Sequence, residues 1–147
     1  MSRLAAAQDA LRSQIAARPA LADVRVDLGL PTRDGDGPAP EHIWVSGDVA
    51  DWRQTPLTTG ATSRAREERF VLRVHVLVEQ QTASYVDVRD RTLTLVGEVE
   101  AAIHSDTTLG GKVAWAELGT KELEEGLVPD GRRLIATLSV ECIADLT

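Results

Sequence analysis

The sequence predicts an α+β domain: a mixed or antiparallel sheet of about five strands, two main helices on one face, in the order α-β-β-β-α-β-β. Three observations predict it. Apolar residues recur at three- and four-residue spacing in two stretches, the mark of amphipathic helices. They alternate with a period of two in several others, the mark of half-buried strands. The chain's 147 residues form one domain, since single domains cluster near ~100–150 residues, and no internal repeat divides them.

Residues 3–18 read as the first helix, with Leu4, Ala7, Leu11 and Ile15 along one stripe. Arg18-Pro19 ends it, because a residue before proline avoids the helical region. Val24, Val26 and Leu28 then alternate with Asp23, Arg25 and Asp27 as a strand. The glycine- and proline-rich residues 29–40 form a loop, and a short strand follows at 42–46, with Ile43 and Val45 on one face, His42 and Trp44 on the other. Residues 47–66 show no period and carry many turn residues, so a long flexible loop is expected there; such loops are usually functional.

From Arg69 to Val78 the strand signal is strong, with Phe70, Leu72, Val74, Val76 and Val78 on one face. The other face mixes Val71, Arg73, His75 and Leu77, as in a strand partly covered on both sides. Ser84 is the expected N-cap of a second helix that runs to about His104, in a capping box with Asp87. Its stripe is Tyr85, Val88, Thr92, Leu95, Val99 and Ile103, and Gly97 within it is expected to mark a close helix–sheet contact. After the turn Leu109-Gly110-Gly111 comes a strand at 112–118, then an acidic, turn-rich stretch at 119–131 ending in Pro129-Asp130-Gly131. The closing strand, 132–142, places Leu134, Ala136, Leu138, Val140 and Cys142 on its apolar face.

Composition narrows the function classes. Hydrophobic residues at 43% and charged residues at 27% lie in the globular range and argue against wholesale disorder. Sixteen Lys and Arg against 23 Asp and Glu give a formal charge of −7, the wrong sign for gripping nucleic-acid phosphates. Cys142 is the only cysteine, which excludes an internal disulfide and a cysteine-built zinc site and points to a reducing compartment. Arg3, Gln8, Asp9 and Arg12 interrupt the N-terminal stretch, so a signal peptide is not expected, and no stretch is apolar enough to span a membrane.

No motif carries enzyme chemistry. Asp34-Gly35-Asp36-Gly37 echoes a calcium loop, but its twelfth position is Val45 where a glutamate is needed. Leu109-Gly110-Gly111-Lys112 lacks the spacing of a phosphate loop and leads into a strand. His42, His75 and His104 fall on different elements without metal-ligand spacing, and Cys142 reads as an inert core thiol. No catalytic, cofactor or metal residue is assigned. The acidic run of Glu117, Glu122, Glu124 and Glu125 reads as a solvated face or, in a ring, as a surface that repels DNA. Trp52 is the informative aromatic, flanked by Asp51 and Arg53 in the long loop. Two readings stand for it: an interface anchor, since Trp and Arg are enriched at hot spots, or a lid over the loop's own base.

Taken together, the N-terminal helix, the DVRVDLGLP strand and turn, the stretch 47–66, the ERFVLRVHVLVE strand, the SYVDVRDRTLTLVGEVEAAI helix, the TLGGKV turn and the closing RRLIATLSVECIADL strand resemble the tail terminator (tail completion) proteins of long-tailed bacteriophages. The resemblance covers nearly all of the chain and rests on the order of elements. It implies a subunit, not an enzyme and with no cofactor, that assembles as a hexameric ring on the last ring of the tail tube. That ring would stop tube growth and offer a surface to the head-completion (neck) protein, with DNA passing through without sequence-specific binding. The implied location is the head-proximal end of the virion tail, assembled in the host cytoplasm, away from any membrane. The interface residues expected on this reading are Asp51, Trp52, Arg53, Arg64 and Arg66. Two alternatives remain: a neck adaptor or stopper of the same particle, and a small acidic binding or inhibitor domain.

Overall fold

A computed structural model describes residues 1–30, 40–56, 66–81, 84–128 and 131–146. The chain runs α1 (Leu4–Ala16), a 3-10 turn (Pro19–Leu21), β1 (Arg25–Leu28), β2 (Glu41–Val45), β3 (Ala50–Pro56), β4 (Arg66–Gln81), α2 (Tyr85–Ser105), β5 (Trp115–Val128) and β6 (Gly131–Leu146). It is α+β with a mixed six-stranded sheet, β1-β2-β4-β6-β5 in order, and β3 beside β4 below β2. Among the described residues only β1–β2 is parallel; the other pairs are antiparallel.

β4 and β6 form the spine, paired without a break from Arg66↔Leu146 to Gln81↔Gly131. Their even-numbered residues face the helices. Phe70, Leu72, Val74, Val76 and Val78 of β4 and Leu134, Ala136, Leu138, Val140 and Cys142 of β6 are buried there. Alternation thus set these strands as expected, because one face needed an apolar row and the period of two supplies it. Onto that row α1 lays Ala7, Leu11 and Ile15, and α2 lays Val88, Thr92, Leu95, Val99, Ala102 and Ile103. Ser84 caps α2, its hydroxyl oxygen accepting from the Asp87 N–H at 3.2 Å. Arg18 and Glu98 tie the helices at 2.9 Å, and Gln14 donates to the carbonyls of Ala102 and Asp106.

The passage from α2 to β5 is a run of left-handed residues: Leu109, Gly110 and Gly111 have φ of 48°, 67° and 79°. Glycine adopts this region freely, whereas Leu109 is strained and held by complete burial of its side chain. The Asp106 carboxylate organises the turn, accepting from the Thr108 hydroxyl (2.6 Å) and from the Gly110 and Thr108 N–H groups (both 2.9 Å). Those donors hold its pKa below the usual aspartate value.

Three expectations are corrected. Within the stretch expected as a long loop, residues 50–56 form β3, and β4 begins already at Arg66. Six of the seven β3 residues are exposed, so no apolar alternation betrayed the strand; pairing with β4 holds it, with a register shift between Ala50 and Arg53. Residues 119–128, expected as acidic turns, continue β5 to Val128. They form an edge strand, where charges are common because they discourage stray pairing. Gly97 does not mark a close contact: a Cβ there would meet nothing within 4 Å. Asp34–Gly37 and Pro129-Asp130 lie outside the described residues.

Because Gly97 sits in open space inside a helix, Gly97→Ala should raise stability by about 0.5–1 kcal/mol. Chemical denaturation of the two chains checks this, with a loss of stability as the contrary result.

Candidate functional site

The helices cover one sheet face; the opposite face carries the polar phase of every strand. On β4 that phase is Glu67, Arg69, Val71, Arg73, His75, Leu77 and Glu79. Register places Ile143, Glu141, Ser139, Thr137 and Ile135 of β6 beside Arg69 through Leu77 in turn. Trp115, Glu117, Glu122 and Glu124 of β5 continue the same face outward. This open face carries both signs of charge, with carboxylates the more numerous along β5. Arg53, Arg69 and Arg73 lie on β3 and β4 with Glu67 and Glu79 among them, and Glu117, Glu122, Glu124 and Glu141 lie along β5 and β6 with Arg133.

At one end the open face is hollowed into a groove of about 200 Å³, lined by Asp51, Arg53, Arg69, Val71, Trp115 and Glu141, among others. Asp51 takes a left-handed φ of 53° at the β3 bulge. The structure therefore brings together two of the expected interface residues, Asp51 and Arg53, and adds Arg69, Trp115 and Glu141. Trp52 partly matches the reading of a residue folded back on its own surroundings, and its interface role stays a proposal. Its indole N–H turns back to donate to Glu68 at 2.9 Å on the helix side, away from Asp51 and Arg53. Yet the residue remains 55% exposed. Arg66 is exposed and shares the helix-side phase with Glu68, not the groove; Arg64 lies outside the described residues.

Glu68 is the residue that the sequence reading missed. It lies on the helix-facing phase of β4, wholly buried, two residues before Phe70. Its carboxylate accepts from the Ser2 hydroxyl (2.7 Å), the Arg3 N–H (2.7 Å), the Trp52 indole and the Gln54 amide (3.2 Å). Arg3 is the N-cap position of α1 and supplies no side-chain cap; the carboxylate from β4 serves in its place, at the helix end that favours an anion. Burial pushes the Glu68 pKa up, but the four donors outweigh it and hold it below the usual glutamate value. The signal was present: continuing the period of two back from Phe70 puts a glutamate on the apolar face.

A second cluster lies at the other end of the open face. Trp44 stacks on His75 with ring centroids 5.0 Å apart and meets His42 edge-on at 5.7 Å. His42 is buried, its Nε2 2.6 Å from an Asp27 carboxylate oxygen that also pairs with Arg25 at 2.8 Å. His75 Nδ1 is 3.1 Å from the Thr137 hydroxyl. Burial and then the nearby Arg73 lower the His75 pKa, against an opposing pull from Asp48, which favours the neutral ring. Two of the three histidines thus converge although no spacing pointed to it, because β2 and β4 pair Trp44 with His75 in register. His104 stands apart, exposed on α2. No cluster of three metal-ligating side chains occurs among the described residues. Burial pushes the Cys142 thiol up to about 12, so it is an unreactive core group.

No known protein family matches this chain, and no curated protein matches it.

The Glu68 hub makes a pH prediction. Its folded pKa lies below the unfolded one, so its contribution is complete above the unfolded value, near 4.5, and is lost as pH falls through the folded value. Glu68→Gln should therefore melt well below the parent chain at pH 7, with the gap closing as pH falls below about 4.5. Thermal melts from pH 7 into the acid range check it; a gap that does not change with pH would contradict it.

Proposed function

We propose that this chain is a virion structural protein that forms a ring, hexameric on the resemblance, at the head-proximal end of a phage tail tube. There it ends tube growth and presents a surface to the head-completion protein, while DNA passes through the ring. The observation that carries this reading is the architecture around the sheet. Among the described residues both helices lie on one face, the other face carries no helix, and the strand edges on both sides have no strand partner. A subunit so built can join copies of itself laterally while keeping two different faces, one for each neighbour along a tail axis. The order of elements from α1 through α2 and the Leu109-Gly110-Gly111 turn to the closing strand is roughly the one the resemblance rests on, with β3 added inside the stretch 47–66.

The carboxylates along β5 on the open face also support this reading. The −7 charge and the row of Glu117, Glu122, Glu124 and Glu141 suit a conduit that does not hold DNA. An acidic inhibitor domain would carry carboxylates alone on such a face, whereas here Arg53, Arg69 and Arg73 share it. Among the described residues no helix is long and apolar enough to cross a membrane.

Particles made without the gene should show tails of uncontrolled length, or finished tails that do not join full heads, under negative-stain electron microscopy. Normal tails beside leaking heads would move the chain to the neck, and intact infectious particles would overturn the virion reading.

A further inference from the structure

β5 is the last strand on its side of the sheet, and its outer N–H and C=O groups have no strand partner among the described residues. A register shift after Leu118 divides it. Beyond the shift, Lys121–Val128 pairs with β6 in one register, from Lys121↔Leu138 to Val128↔Gly131. Such a regular edge is a backbone template of the kind that accepts a further strand.

The two faces of this edge favour different side chains. On the open face stand Glu122 and Glu124, both exposed and neither in an ion pair among the described residues. On the helix face Lys121 and Glu125 are already paired, with Glu100 at 2.7 Å and Arg132 at 2.9 Å. Between those two pairs Leu123 is 45% exposed and lines an apolar groove of about 280 Å³ between β5 and α2. Leu93 and Val96 of α2 and Leu138 of β6 also wall the groove. Gly97 leaves it open, since a Cβ there meets nothing within 4 Å. Leu127, further along the helix face of β5, is 80% exposed. Carboxylates alone would serve to keep strands off an edge, but the recess beside them fits an apolar side chain.

A second β5 edge does not suit this one. Two such edges meeting antiparallel about a twofold axis keep each face with itself. Centred on Lys121, Glu122, Glu124 or Glu125, the pairing sets that residue against its own copy; centred on Leu123, it sets Glu122 against Glu124. Each of these registers places like charges opposite one another, which is destabilising.

We propose that the Lys121–Val128 edge binds an extended segment of another protein, added antiparallel as a further strand, in which cationic and aliphatic side chains alternate. Directly opposite residues share a face. The segment therefore sets a lysine or arginine against each of Glu122 and Glu124. The aliphatic residue between those cations lies against Leu123 and enters the groove over Gly97. A second aliphatic residue, three positions before the first cation, covers Leu127. Backbone pairing supplies affinity for any strand, and the groove with its two carboxylates supplies the selection. This inference goes beyond the virion reading and does not depend on it.

The test titrates the purified full-length chain into a fluorophore-labelled peptide, Thr-Thr-Leu-Thr-Thr-Lys-Leu-Lys-Thr-Thr, followed by fluorescence anisotropy. Binding should saturate and should weaken as salt rises. The pair Glu122→Lys with Glu124→Lys should weaken it on the order of tenfold or more. A peptide with glutamate in place of both lysines should then bind that variant better than the original peptide does, which a loss of stability cannot produce. Proline at both threonines between the first leucine and the first lysine removes a ladder donor and should abolish binding. Gly97→Leu fills the recess from an open position, so it should weaken binding while the melting temperature is kept. If that variant melts early, Leu93→Gln at the exposed wall reads the groove instead. Absence of saturable binding overturns the inference. So does binding indifferent to the charge reversal, to the prolines or to the groove variant, or a swapped peptide that fails on the reversed chain. Self-association of the unaltered chain that the peptide disperses would give the edge to a second copy and overturn it as well.

Discussion

Everything else in the molecule depends on the register of the β4–β6 ladder. A slip of one residue would turn Phe70, Leu72, Val74, Val76 and Val78 relative to the row Leu134–Cys142 and drive Arg69, Arg73 and His75 under the helices. Neither α1 nor α2 would then have an apolar surface to bury. β4 also serves two further strands on its other side, β2 along its C-terminal half and β3 along its N-terminal half. The core, the open-face groove and both margins of the sheet therefore inherit their positions from one pairing.

Where the apolar phase of β4 runs out, Glu68 takes over by other means. A buried carboxylate without partners would be costly, and here four donors from the N-terminal segment and β3 converge on it. One anion thus stands in for the absent cap of α1 and fixes the side to which the Trp52 indole turns. This links the start of the helical layer to the edge strand that carries Arg53. The same residue explains how a strand with six exposed positions out of seven is held in a defined place. β3 has little apolar burial to hold it, so its order comes from the β4 ladder and from this polar hub.

Periodicity revealed the core and hid the edges. α1, α2, β4 and β6 were legible because each buries one face, and burial imposes a period of 3.6 or two on the apolar residues. β3 and the second half of β5 were not legible because they bury almost nothing. Ala50–Pro56 and Gly119–Val128 read as loop and acidic turns, yet both are strands stabilised by backbone pairing with a neighbour. The candidate site suffers from the same blindness. Asp51 and Arg53 were found from composition, as charged neighbours of a tryptophan in an aperiodic stretch. Trp115, Glu141 and Arg69 joined them only through cross-strand register, which no local pattern encodes. Gly97 misled for a related reason. A helical glycine can mark close packing or an open groove, and the helix's own sequence does not distinguish the two.

On the function proposed above, copies of this chain join into a ring at one place in a particle. The most direct measurement is gold labelling of a tagged copy of the chain in otherwise intact particles, viewed by electron microscopy. The account predicts label confined to the junction between tail tube and head. Label along the tail, over the capsid, or absent from purified particles would contradict it.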